Sequence, residues 1–525
     1  MQQTPVERGP VHPPSQDDPI VSGGARLLGG AWGRHATGRS AWWWTPLRAV
    51  LVLTVLTSVL GYLQKEPCRT HSWGDEYQYT RVCYTDVFAL YFAEHLGGNG
   101  NSRISVPYRD QPVEYPPVIG GLMWAAAELT NLAHPDQPKA TAAGVVDFRA
   151  RTFFDVTALM LALFALWTTW SVARIAGRRR VWDAAMMALA PTLLFHAYTN
   201  WDLAAVALAT AAMWAWSRPW PRRRAPIVAG LLIGLGTATK LYPALLLVAL
   251  LFLCWRAKRL RDWAWCVAVA AGTFVLAYVP AIVLSAETPA ALRRTSFLFP
   301  FTGCPTAHYL PGWRWFWALN STRGADWDSL WFQLQHARGQ PLDQTACGQA
   351  PQWLNLGVAV ATVCVVIGVG LLVVVARRRP RLPQVAFLLV AGFLLVNKVY
   401  SPQYVLWLVP LAVLARPRWR AFLAWQAAEV LLLFARFYFF VGNDASTAGR
   451  GAEGLPIAWF FGAVWLRDVA LVVLMGLVVR DVLRSRHDVV RVDGVDDPAG
   501  GVLDGAADRP VPFGRSRVPA TVAAR

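Results

Sequence analysis

Charge is what this 525-residue chain has least of: only 16% of its residues are Asp, Glu, Lys or Arg. So few charges, with 55% hydrophobic residues and a mean hydropathy of +0.34, exclude an ordinary soluble protein. Acids are scarce, 32 against 50 basic residues, and lysine is scarcer still: Lys65, Lys139, Lys240, Lys258 and Lys398 are all there are. There is no GxxxxGK[ST] loop and no GxGxxG between a strand and a helix, so no nucleotide site is read here. No His/Cys cluster has metal-ligand spacing, so no cofactor is expected, and a divalent cation is left open. The start has no signal-peptide pattern either.

What is present is a series of apolar runs near 20 residues long, enough to cross a bilayer as helices. Most of the basic residues gather in short clusters between those runs: 177–180, 218–224, 255–261, 376–381 and 416–420. That distribution marks cytoplasmic loops and argues against nucleic acid despite the net charge of +18. The charge rule predicts about twelve spans with both ends inside: 47–63, 152–175, 181–197, 203–216, 225–239, 241–255, 263–284, 353–375, 382–396, 404–415, 419–440 and 457–479. Segment 115–132 is apolar too. Counting it as a crossing would put every later basic cluster outside, so it is expected to lie on the outer face as a surface helix. The predicted organisation is a cytoplasmic disordered tail (1–46), a polytopic domain (47–484) with long outer loops at 64–151 and 285–352, and a second disordered cytoplasmic tail (485–525).

Cys68 and Cys83 fall in the first outer loop, Cys304 and Cys347 in the second, which would allow one disulfide in each; free thiols are the alternative. A charged group within or beside a span needs a reason. Asp86, in an otherwise uncharged aromatic and apolar run, begins a short amphipathic helix, and Asp202 begins a span. Each could be a general base or a helix cap. Lys240 and Lys398 occupy tight junctions between spans at the same predicted face, where a compact ammonium suits a phosphate or a carboxylate and snorkelling to headgroups is the plain alternative. An acid and cations at an outer membrane pocket fit sugar transfer from a lipid phosphate, the cations stabilising the departing phosphate.

YTDVFALY (84–91), VPYRDQPVEYPP (106–117), NWD (200–202), KLYP (240–243) and NKVYSPQY (397–404) together resemble the GT-C glycosyltransferases. Most of all they resemble family 87, the polyprenyl-phosphate-mannose-dependent mannosyltransferases common in actinobacteria. The resemblance implies an all-α membrane bundle and transfer of a hexose, mannose in the family, with inversion. The donor would be a polyprenyl-phosphate sugar, the acceptor a glycolipid or polysaccharide of the cell envelope, and the membrane lipid a partner. It puts the base at Asp86, with Asp202 as a second acid. Lys240 and Lys398, with Arg81 or Arg109, would hold the phosphate, and Tyr84, Glu114, Tyr115, Asn200, Tyr242, Gln403 and Tyr404 would face substrate. A transporter or flippase, or a non-catalytic envelope assembly protein, remains the alternative. The long, Trp-rich loop 285–352 departs from the pattern and leaves the acceptor open.

Overall fold

The computed structural model describes residues 18–24, 45–71, 73, 76–97, 104–134, 148–221, 223–285, 312–340, 342, 351–447, 453–491 and 496–508. Within them the regular structure is helical, apart from one isolated β-bridge between Pro107 and Gln111. In chain order the helices that matter are α1 (Pro46–Thr70), α2 (Asp86–Ala93), α3 (Pro117–Ala133), α4 (Phe148–Ala176), α5 (Asp202–Trp216), α6 (Arg224–Thr237), α7 (Leu245–Arg256) and α8 (Leu260–Ser285). They are followed by α9 (Gly312–Thr322), α10 (Leu330–Arg338), α11 (Gln352–Val375), α12 (Leu382–Val396), α13 (Val405–Ala415), α14 (Trp419–Thr447) and α15 (Ile457–Leu483).

Among the described residues six helices are long and apolar enough to cross a membrane: α1, α4, α8, α11, α14 and α15. Their outward faces carry exposed Leu, Val and Ile, the lipid-facing pattern of a multi-pass membrane protein. Five further expected spans form shorter apolar helices, α5, α6, α7, α12 and α13. The expected span at 181–197 is not one helix: it divides into Arg178–Asp183, Ala184–Ala188 and Pro191–His196. Pro191 opens the last piece, where a missing N–H costs nothing. The twelve-span count therefore does not correspond to twelve full-length helices. Segment 115–132 forms α3, preceded by Pro116 and with Glu128 on its length.

Of the short helices, α5, α12 and α13 are buried along most of their length, whereas α6 and α7 keep an exposed side. α5 is buried along almost its whole length. α6 lies against α8 so closely that a Cβ at Gly230 would collide with the Cys266 carbonyl oxygen, and one at Gly234 with that of Ala270. This is the small-residue contact that lets membrane helices touch backbone to backbone. Cys68, near the end of α1, forms a disulfide with Cys83, three residues before α2. Cys304 and Cys347 lie outside the described residues.

The expected disordered tail from 485 needs correction. Residues 485–491 and 496–508 fold back under the helix ends, because their acids match the arginine clusters there. Asp488 takes both arms of Arg381 at 2.8 and 3.0 Å, while Arg381 also donates to the last carbonyls of α13, Leu414 and Ala415. Asp497 accepts the Leu382 N–H at the start of α12 at 2.8 Å. Asp508 pairs with Arg256 at the end of α7, and the Gly500 carbonyl accepts from Trp216 at the end of α5. At the other end of the chain, Asp18 accepts the Trp419 N–H at 3.1 Å.

Arg381 and Asp488 are both almost fully buried. Removing one partner strands the other, so Asp488→Ala should cost about 3–5 kcal/mol. Thermal unfolding in detergent checks this; a solvated tail would leave the midpoint unchanged.

Candidate active site

Helix breaks build the site. After Pro191–His196 the chain leaves helical form through AYTNW (197–201) before α5; it breaks again at 238–241 between α6 and α7, and at 397–401 between α12 and α13. Each break is crossed by a long-loop segment that uses its free carbonyl. The Asp86 N–H donates to the Thr199 carbonyl at 2.8 Å, the Val118 N–H to Ala238 at 3.1 Å, and the Asp326 N–H to Lys398 at 2.8 Å. Between them lies a cavity of about 580 Å³.

Thr85, not Asp86, caps α2: its hydroxyl accepts from the Val87 N–H and donates to the Tyr198 carbonyl at 2.7 Å. Asp86 is thereby left at the first helical position with its carboxylate on the cavity wall. The Asn200 amide donates to Asp86 Oδ2 at 3.3 Å, and the Tyr84 hydroxyl also bonds to the carboxylate. Burial pushes the Asp86 carboxyl above its ordinary 3.8, and these bonds and the Lys240 charge offset part of the rise. Glu114 lines the same cavity. Burial raises its carboxyl too, the Asp86 charge adds to the rise, and Arg323 and Lys240 oppose it.

Asp202 sits differently. It is fully buried, does not line the cavity, and accepts from Trp407 Nε1 at 2.8 Å. Its Oδ1 is 3.3 Å from Lys240 Nζ. The other side of that ammonium faces rings, with centroids 4.4 Å away for Tyr115 and 5.4 Å for Tyr404. Tyr404, Trp407 and Tyr242 stack in sequence at 4.1 and 4.4 Å. Lys240 is thus a fixed cation set in an aromatic wall.

Of the residues expected at the site, Asp86, Lys240, Lys398, Tyr84, Glu114, Tyr115, Asn200, Tyr242, Gln403 and Tyr404 all line this one cavity. Asp202 reaches it only through its partners Lys240, Trp407 and Asn200, which line it. Arg81 and Arg109 do not line it: Arg81 lies over the Tyr77 ring, and Arg109 is ion-paired with its neighbour Asp110 at 2.8 Å. Both correct the expectation, and for one reason: an arginine in a polar loop finds the nearest partner. Lys398 lines the cavity with its ammonium already engaged, by the Arg323 carbonyl and the Asn355 side-chain oxygen.

Sequence reading missed Arg323, Arg436, Lys65 and His196 in the wall. Arg436 stands alone in the apolar run 430–441 and pairs with buried Asp328, so the cost of a charge at membrane depth was the signal for it. Lys65 was visible as one of five lysines; it donates to the Tyr84 carbonyl at 2.9 Å. Arg323 had no signal. Among the described residues no group of three or more His, Cys, Asp or Glu could hold a metal ion.

The fold and cavity define a multi-pass, all-helical membrane protein with an acid-and-cation site at its helix breaks. The model of glycosyltransferase family 87 matches residues 146–397, just under half the chain, in line with the resemblance to that family; NWD (200–202) and KLYP (240–243) lie within this stretch, and YTDVFALY and VPYRDQPVEYPP lie before it. The matched stretch contains Asp202, Lys240 and Arg323 and begins beyond Asp86. Among solved structures the chain is similar to ArnT from Cupriavidus metallidurans bound to undecaprenyl phosphate, at 16% identity and a TM-score of 0.40, covering 86% of this chain and 76% of that one. It is also similar to the Archaeoglobus fulgidus oligosaccharyltransferase in its apo form, at 13% identity and a TM-score of 0.38, covering 85% of this chain and 56% of that one. No curated protein sequence matches.

The Asp202–Lys240 pair predicts a coupled stability effect. Asp202→Ala strands a buried ammonium and should cost about 3–5 kcal/mol. Asp202→Ala with Lys240→Met should cost less than Asp202→Ala alone, read by thermal unfolding of the two variants. A double variant no more stable than Asp202→Ala would show that the two charges do not depend on each other.

Proposed function

We propose that this protein is a family 87 glycosyltransferase of GT-C fold. It moves a hexose, mannose by the family resemblance, from a polyprenyl-phosphate donor to a glycolipid or polysaccharide acceptor. The observation that carries the reading is one cavity with Asp86 accessible on its wall and two cations, Lys240 and Arg323, within reach of the same space. The acceptor hydroxyl oxygen attacks the anomeric carbon, and the bond from that carbon to the phosphate oxygen breaks with its electrons going to the phosphate. Asp86 takes the hydroxyl proton, and single displacement inverts the carbon. Lys240 and Arg323 stabilise the charge that grows on the leaving phosphate. Tyr404, the half-buried end of the ring stack with Trp407 and Tyr242, offers an aromatic ring to a sugar.

The cavity is assigned to the outer face of the plasma membrane, with both termini cytoplasmic. Two features support that side. The basic clusters at 177–180, 255–261, 376–381 and 416–420 belong to the opposite ends of the helices. The Cys68–Cys83 disulfide, three residues from Asp86, needs an oxidising compartment.

Asp86→Asn should lower sugar transfer from polyprenyl-phosphate mannose by about 10²–10⁴-fold at matched folded protein. Because the Asp86 carboxyl is raised, the base is lost as pH falls through a value above 3.8, and the wild-type rate should fall on that acid limb. The limb should vanish in Asp86→Asn. Transfer unaffected by the substitution would remove Asp86 as base, and no transfer by wild type would return the transporter reading.

A further inference from the structure

Lys398 was expected to hold the donor phosphate. Its surroundings point elsewhere. The ammonium donates to the Arg323 carbonyl at 2.6 Å and to Asn355 Oδ1 at 2.6 Å, and Lys398 is only 7% exposed. At least two of its three N–H donors are therefore engaged by neutral oxygens. The bonds around it join three parts of the chain. The Lys398 carbonyl accepts the Asp326 N–H at 2.8 Å, and the Asn355 amide donates to the Ser321 carbonyl at 2.8 Å. Trp331 Nε1 donates to the Val396 carbonyl at 2.8 Å, and the Ser401 hydroxyl reaches Asp326 Oδ2 at 3.3 Å. The segment from Ser321 to Trp331 is thus fastened to the break between α12 and α13 and to the first turn of α11.

Arg323 lies just past the end of α9, near the start of that fastened segment, and its side chain lines the cavity and is exposed. The acids that act on it, Asp326 and Glu114, do so through charge. Its backbone is held by Lys398 and its guanidinium is presented to the cavity. A planar guanidinium can meet a phosphate with two parallel N–H donors, which an ammonium tied to two other oxygens cannot.

We propose that Lys398 is a positioning residue: it staples the 321–331 segment across the cavity and so aims Arg323, which is the group that meets the substrate's anion. The proposal rests on the glycosyltransferase reading for its kinetic part and on geometry alone for its structural part. The two parts have separate tests.

The kinetic test is a double-mutant cycle on transfer from polyprenyl-phosphate mannose, with Lys398→Met, Arg323→Gln and both together. Loss of hydrogen bonds to a charged group predicts a rise of about tenfold or more in donor KM for each single variant. The double variant should match Arg323→Gln alone, because Lys398 acts through Arg323. Multiplying effects would mean that Lys398 touches the substrate itself and would overturn the proposal. The structural test is limited proteolysis of residues 312–340 in the full-length protein without donor. Lys398→Met and, independently, Asn355→Ala should speed cleavage, whereas Arg323→Gln should not. Unchanged cleavage in both staple variants overturns the proposal even if wild type transfers no sugar. Faster cleavage in a protein that transfers no sugar would uphold the staple and reject the glycosyltransferase reading alone.

Discussion

A helix that breaks within a membrane protein frees carbonyls that no bulk water can meet, so irregular backbone survives there only where protein or a polar cavity receives it. In this fold the receiving partner is each time a segment of a long loop: Asp86 on Thr199, Val118 on Ala238, Asp326 on Lys398. The need to satisfy three carbonyls therefore fixes where the loops lie. The loops in turn bring Asp86, Glu114 and Arg323 onto one cavity. The disulfide before α2 and the staple at Lys398 reinforce contacts that the backbone already makes.

The same constraint explains how far the sequence could be read. A break in an apolar run shows itself as polar residues where none are expected, and NWD, KLYP and NKVYSPQY are such places. Six of the ten expected residues on the cavity wall, Asn200, Lys240, Tyr242, Lys398, Gln403 and Tyr404, come from those places, and Tyr84, Asp86, Glu114 and Tyr115 come from the first long loop. The signal fails in polar loops, where an arginine is unremarkable. Arg81 and Arg109 lie there and have local partners, and nothing in the sequence separates Arg323 from the other four arginines between 285 and 352. Its importance comes from where Lys398 and Asn355 hold it, which is a long-range fact. The C-terminal segment was illegible for a related reason. DDPAGG has the composition of a linker, and only the folded arrangement of Arg256, Arg379 and Arg381 shows what its acids meet. Span counting is hardest where length and burial part company: α5 has 15 residues, short for a full crossing at roughly 1.5 Å rise per residue, and is buried along almost its whole length.

Asp86 and Asp202 look alike in sequence, each an acid opening a helix after an aromatic or hydroxyl residue. Their environments divide the work. Asn200 touches both: its oxygen accepts the Asp202 N–H at 3.0 Å and its amide donates to Asp86. Asp202 is sealed and neutralises Lys240, whereas Asp86 keeps an open edge to the cavity. A base must be reachable by the proton it takes, and of the two only Asp86 is.

Charge accounting then gives the proposed reaction a direction. A lipid phosphodiester and an ionised Asp86 each bring one negative charge into the cavity. After transfer Asp86 is neutral and the lipid phosphomonoester carries the charge that Asp86 gave up. The total is unchanged, but one negative charge has moved across the site. A wall that held its cations evenly would favour neither side. This one fixes Lys240 between Asp202 and two rings and presents Arg323 from the opposite loop, so donors are already oriented where the charge arrives. Groups oriented beforehand need no reorganisation as the phosphate departs, and that is where fixed dipoles and charges lower a barrier most. The raised Asp86 carboxyl works in the same sense: burial that disfavours its anion at the start is relieved when it takes the proton.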